Sequence, residues 1–174
     1  MTNAVLEAIK TRRSCRKYEP RQITKEELDA VLEAGVWAPT AMGTQEPLMV
    51  VLQDPEAIAE VERLNGGVMG HPESHPFYGA PTVIIVFADA SRPGVFVEDG
   101  SLVMGNLLNA AHAVGLGSCW IHRAREVFDS EEGKALKAKW GIPESYAGIG
   151  NCILGYPVEE APAKPRNDGY VIFG

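Results

Sequence analysis

No stretch of this chain stays apolar long enough to cross a bilayer, and Met1 to Glu7 lacks the basic start and continuous apolar run of a signal peptide. A soluble, cytoplasmic protein is expected. Cysteine is scarce: Cys15, Cys119 and Cys152 lie far apart, odd in number and without CxxC spacing, which excludes a disulfide framework and a thiolate zinc site. Positive charge is in the minority, with 16 Lys and Arg against 23 Asp and Glu, a net charge of −7 and a pI of about 5.1. Nucleic acid and anionic membrane are thereby excluded as main partners, because binding to either rests on a broad basic surface. No GxxxxGK[ST] occurs, so no nucleoside-triphosphate loop is present. Gly115-Leu116-Gly117-Ser118-Cys119-Trp120 begins like a dinucleotide fingerprint, but Trp120 stands where the third glycine belongs and the order runs from helix to strand. His71 and His75 are four apart, yet Pro72 and Pro76 break the helix that would bring both to one metal, so no metal site is expected.

What is there is enough apolar material, 45% of 174 residues, for one domain over residues 1–174, near the size at which an oligomer adds buried surface. The densest chemistry is Arg12-Arg13-Ser14-Cys15-Arg16, three guanidinium groups around one hydroxyl in an acidic chain. Guanidinium forks match phosphate oxygens two at a time, so a small phosphorylated ligand is one reading. An ordinary Arg-rich helix end, solvated and favoured by the helix dipole, is the other, and the cluster alone leaves both open. Cys15 flanked by Ser14 and Arg16 raises a thiol nucleophile, but no second Cys or His stands near it in sequence, and a packed cysteine is the plainer reading. Cys119 and Cys152 read as core, and Trp120 and His122 by themselves read as structural.

Periodicity predicts a helix around Val5, Leu6 and Ile9 that delivers Arg12 and Arg13 at its C-terminal end. Thr24-Lys25-Glu26-Glu27 is a capping box opening a second helix with Leu28, Val31, Leu32 and Val36 on one face. Ala38 to Gly43 reads as a loop, Leu48 to Leu52 as a strand buried on both faces, and Asp54-Pro55 as the start of a helix through Leu64. Asn65 to Pro76 reads as an ordered excursion or mobile lid, and Pro81 to Ala88 as the central strand. A long central helix follows over Val95 to Val114, with Leu102, Val103, Asn106, Leu107, Ala110 and Ala113 on one face. Then come a strand over Ser118 to His122, a polar helix over Ser130 to Lys139, a buried strand over Ile149 to Leu154, and a Pro-rich tail with Lys164 and Arg166. Helices interspersed with antiparallel-capable strands predict a three-layer α+β sandwich.

Four segments in register, Arg12-Arg13-Ser14-Cys15-Arg16-Lys17-Tyr18, Ala38 to Gln45, Gly115 to Ile121 and Lys164-Pro165-Arg166, resemble the FMN-dependent nitroreductase family over nearly the whole chain. The resemblance implies a three-layer α/β/α sandwich with a mostly antiparallel central sheet, and an intertwined homodimer with FMN at the subunit interface. It implies that Arg12, Arg13, Ser14 and Arg16 grip the ribityl phosphate and the pyrimidine edge. Lys164 and Arg166 would close on the same phosphate. The partner's loop would supply Pro39, Thr40, Ala41 and Gly43, while Trp120, Ile121 and His122 lie along the ring with a backbone N–H facing flavin N5. The implied activity is NAD(P)H-dependent, ping-pong reduction of nitroaromatics, quinones or similar electrophiles, with no protein group required as acid or base. A fixed cation such as Arg16 beside the flavin N1 and C2 carbonyl would favour the reduced state.

The chain departs from the family pattern at Gly43, where members commonly have Asn, and at Gln45-Glu46-Pro47, where they commonly have Gln-Pro-Trp. It is short between Asn65 and Pro81, which implies an open pocket or one covered by the His71 to Tyr78 loop, with Asn65 as a further candidate contact. Beside the oxidoreductase stand a non-catalytic flavin-binding or sensing protein of the same fold, and relatives that fragment flavin, remove halide or oxidise azolines.

Overall fold

The computed structural model describes residues 1–92, 94–159 and 161–174. Its elements run α1 (Ala4–Thr11), α2 (Lys25–Val36), β1 (Leu48–Leu52), α3 (Pro55–Val68), β2 (Thr82–Asp89), α4 (Phe96–Ala113), β3 (Gly117–Ile121), α5 (Ala124–Asp129), α6 (Glu131–Lys139) and β4 (Tyr146–Gly155). The strands form one sheet in the order β1-β2-β4-β3, with every neighbouring pair antiparallel. None of the described helices is long and apolar enough to cross a membrane.

Local chemistry sets the helix starts. Thr24 accepts from Glu27 N while Glu27 reaches back to Thr24, closing the expected capping box. Asp54 accepts from Ala57 N with Pro55 at the first helical position, and Ser130 accepts from Gly133 N at 3.1 Å.

The sheet alternates its side chains between two cores. Val83, Ile85 and Phe87 of β2 point to one face with Cys119, Ile121 and Ile153, covered by α3, α5 and α6. Ile84, Val86 and Ala88 point to the other with Cys152 and Leu154, covered by α2 and α4. This is the expected three-layer sandwich, with β2 buried along all but its last residue.

Several expectations change in detail. β1 is an edge strand in which Leu48 is exposed and Met49 to Val51 are only partly buried, contrary to the reading of a strand covered on both faces. α3 continues past Leu64 to Val68, because Gly66 lets the following loop fold back: a β-carbon there would lie 2.8 Å from the His71 carbonyl oxygen. The buried stripe of α4 is Asp99, Gly100, Val103, Met104, Leu107 and Ala111, while Leu102 and Ala113 are exposed. Val36 is exposed and Gly35 takes its place against Leu107 and Met49. α5 was not legible in the sequence at all; six residues carry too little periodicity to announce a helix.

Candidate cofactor site

Arg12 ends α1 and turns the backbone extended (φ −54°, ψ 135°). Cys15 N then donates to Ser118 O at 2.9 Å and Ser14 bridges Ser118 in parallel, so the basic segment runs alongside β3. Gly117 permits this approach: a β-carbon there would lie 2.8 Å from Cys15 Sγ. Extension separates the cations. Arg13 Nη1 donates to the carbonyls of Lys10 (2.8 Å) and Arg12 (2.6 Å), capping α1, and its other N–H groups have no partner among the described residues. Arg12 is half-buried and its charge draws the Cys152 thiol pKa down, although burial, the larger effect, pushes that thiol up overall. Arg16 is exposed, roughly 13 Å of strand beyond Arg12, with its Cζ 6.0 Å from the Tyr78 ring centre.

Beside this segment lies a cavity of about 470 Å³, walled by Arg13, Ser14, His112, the Gly115–Gly117 turn and tail residues including Pro157, Ala163 and Glu159, whose carboxylate is neutralised by Lys17 Nζ at 2.8 Å. His112 Nε2 meets Thr11 Oγ1 at 2.8 Å at its edge. The volume falls within the range of small-molecule pockets, about 300–1,000 Å³, and the donors at its wall, a guanidinium and a hydroxyl, are those a phosphate takes. On these observations the residues fit a phosphorylated cofactor. Lys164 and Arg166 are exposed and follow the wall residue Ala163 in the tail.

The loop holding Pro39, Thr40, Ala41 and Gly43 is pinned at both ends. Ala41 N donates to buried Asp99 Oδ1 at 2.8 Å, and Gln45 N donates to Thr40 Oγ1 at 2.9 Å. Between them Met42 (φ 55°) and Gly43 (φ 64°) are left-handed, and Met42 is 92% exposed. Glu46, one of the departures noted above, accepts from Asp89 N at 2.9 Å, while its backbone carbonyl accepts from Tyr146 Oη at 3.1 Å. The loop enters β1, at the opposite edge of the sheet from β3. Within one chain it is held at Asp99 in the first turn of α4, whereas the cavity beside the basic segment lies at His112 in the last turn, about 20 Å further along that helix.

At the other end of β3, Trp120 is half-buried against Gly150, Ile121 is buried and His122 is exposed. Asn65 Nδ2 donates to His122 O at 2.9 Å and Asn151 Nδ2 to Ile121 O at 3.3 Å; both asparagines are fully buried. The His71 to Tyr78 loop is anchored by Phe77, which is buried and donates its N–H to Glu62 Oε1 at 2.7 Å. Glu62 Oε2 also meets His75 Nδ1 at 3.3 Å. That anchor brings Tyr78 (φ 54°) to Arg16.

The family model described as "Nitroreductase family" matches residues 9–156. The chain belongs to the nitroreductase family. It is 37% identical over 163 residues to a Methanothermobacter thermautotrophicus protein named "Putative NADH dehydrogenase/NAD(P)H nitroreductase", covering 89% of this chain and 78% of that one. An Archaeoglobus fulgidus protein of the same name is 34% identical over 171 residues, covering 95% and 92%. Among solved structures, a nitroreductase from Bacteroides fragilis with bound FMN superposes with a TM-score of 0.90 at 29% identity, covering 99% of this chain and 100% of that one.

Within this nitroreductase fold, one chain brings together Arg13 and Ser14 with the Gly115–Gly117 turn, and Trp120, Ile121 and His122 at the end of the same strand. None of Pro39 to Gly43 lines the cavity beside Arg13 and Ser14. Sequence reasoning overlooked Asp99 and Asn151. Each had a signal, a polar residue on the buried stripe of an otherwise apolar element, and such residues are retained inside only where they have a partner to hold.

Proposed function

We propose that this chain, an FMN-dependent NAD(P)H oxidoreductase of the nitroreductase family, acts as a homodimer over a single domain, residues 1–174, with each FMN held between subunits. The observation that carries this reading is the Ser14–Ser118 bridge, which lays an arginine-rich segment along β3 beside a cavity of about 470 Å³. When bound, FMN supplies the two-electron chemistry that passes hydride from NAD(P)H to a nitroaromatic, quinone or similar electrophile.

The chain's own groups divide the work. Arg12, Arg13 and Ser14 hold the phosphate, and Lys164 and Arg166 of the exposed tail close on it. Arg16, packed by Tyr78, places a fixed positive charge at the pyrimidine edge, where charge accumulates on reduction. Trp120, Ile121 and His122 line the ring. The partner subunit's Pro39, Thr40, Ala41 and Gly43 complete the site, which accounts for a pinned loop that lies too far from its own basic segment. None of these residues needs to take or give a proton; their part is placement.

Apolar surface supports the second subunit. No residue of α1 is buried, although Val5, Leu6 and Ile9 share a face, and Trp37, at the end of α2, is 78% exposed. The tail adds Tyr170, Val171, Ile172 and Phe173, all exposed. Apolar surface of this extent marks an interface. Three free, buried thiols fit the reducing cytoplasm as the place of work.

The purified protein mixed with FMN should take up the flavin, run at twice the chain's mass and, with oxygen excluded, oxidise more than one equivalent of NAD(P)H per FMN only when a nitro or quinone acceptor is added. Absence of FMN uptake would refute the reading.

A further inference from the structure

Where β3 ends, the backbone is held in an unfavourable shape. Arg123 lies at φ 77°, ψ 8°, the left-handed region, in which a β-carbon crowds the following carbonyl. Such a conformation persists where the surroundings over-determine it. Here three successive carbonyls are each taken by a different element. Asn151 of β4 donates to Ile121 O (3.3 Å), Asn65 of α3 donates to His122 O (2.9 Å), and the Val127 N–H of α5 donates to Arg123 O (3.0 Å).

The asparagines serve this turn at a loss elsewhere. Both are 0% exposed, and the Oδ1 of each has no hydrogen-bond partner among the described residues. A buried acceptor without a partner is destabilising, and an apolar side chain of similar volume would pack the same corner without it. What the amides accomplish is to fix two carbonyls. In a planar trans peptide the C=O and the following N–H point in opposite directions. Drawing the Ile121 and His122 carbonyls inward therefore turns the N–H groups of His122 and Arg123 outward.

We propose that Asn65 and Asn151 are positioning residues of the cofactor site, aiming these two N–H groups at flavin N5. The inference rests on the flavin reading above and adds to it the means by which the donors are held.

Asn65→Leu and Asn151→Leu each remove the amide donor together with its unpaired oxygen. Asn65→Ala and Asn151→Ala remove the donor without adding apolar bulk, and they decide the matter if the leucine variants fail to fold. Oxidised FMN accepts a hydrogen bond at N5 and reduced FMN carries a hydrogen there, so loss of the donors should weaken the oxidised form more. Each variant loaded with FMN should show shifted visible bands. Its affinity for oxidised FMN should fall about tenfold relative to reduced FMN, raising the midpoint potential by about 30 mV. Equal weakening of both forms, or an unchanged potential and spectrum in variants that bind FMN, would reduce the asparagines to a packing role and overturn the proposal. Failure of the wild-type chain to bind FMN at all would remove the flavin reading and this inference with it, an outcome told apart by the wild-type control.

Discussion

The Trp120 indole packs so closely on Gly150 that a β-carbon built at Gly150 would lie 2.5 Å from Trp120 Nε1. The two residues are diagonal neighbours across the β3–β4 ladder, in which Trp120 pairs with Cys152. Glycine at 150 is what allows the indole to settle on the sheet. Gly150→Ala should push the indole outward and destabilise the fold by about 1–3 kcal/mol, the usual cost of overpacking. A thermal melt and tryptophan fluorescence read the two effects. FMN affinity should fall as well, since Trp120 is proposed to line the ring; a variant with wild-type affinity and displaced fluorescence would remove Trp120 from the site.

Arg12 and Arg16 should answer differently to neutralisation. Loss of a charge-assisted contact to phosphate is worth about 1.5–3 kcal/mol, so Arg12→Ala should weaken FMN binding roughly 10- to 100-fold with little change in potential. Arg16→Gln, at the other end of the extended segment, should lower the flavin potential more than it loosens FMN. Equilibrium dialysis and redox titration measure both. If the two variants merely lost FMN to the same degree, the division of labour would be wrong.

Tyr18 makes stability fall at high pH. Burial and the neighbouring thiols Cys15, Cys119 and Cys152 raise its phenol pKa above the ordinary value of 10. Above pH 10 the folded chain keeps a proton that the unfolded chain has released, so the unfolded state binds fewer protons and stability declines as pH rises. One such group contributes a slope of at most about 1.4 kcal/mol per pH unit. Tyr18→Phe lacks this slope but also loses the 2.8 Å bond from Tyr18 Oη to Cys15 O. It should therefore be about 1 kcal/mol less stable than wild type at pH 7, with the difference closing above pH 10. Urea melts across that range check it; parallel curves would refute it.

Lys137 is a buried cation without a carboxylate partner among the described residues. Its ammonium donates to the carbonyls of Glu144 and Tyr146, and burial lowers its pKa. These bonds hold the connection from α6 into β4. Lys137→Met fills the space but leaves both carbonyls unpaired, and should cost about 2–3 kcal/mol without altering the FMN potential. Chemical denaturation together with a redox titration of the same variant separates fold from site.

Much of the architecture was legible because local chemistry carries it. The Thr24 capping box, the Asp54-Pro55 start and the apolar run of β2 each state their element within a few residues. The long α4 was legible in extent but not in face, since its small residues leave several sides able to pack; only the sheet beneath chose Asp99, Val103 and Leu107. α5 and the last turn of α3 escaped for the opposite reason. One is too short to show a period, and the other contains Gly66 and Gly67, which argue against helix until the folded-back loop supplies a use for them.

The sequence by itself determined the class of fold, the candidate cations and the family pattern in which they sit, because periodicity, capping and residue type are properties of neighbouring positions. Tertiary structure alone decided that the basic segment lies along β3, that the proline loop is held at the first turn of α4, and that Asn65 and Asn151 meet at one turn. Those relations join positions as distant as 14 and 118, or 65 and 122. Strand pairing and the burial of polar groups bring such positions together, and neither leaves a local trace in the chain.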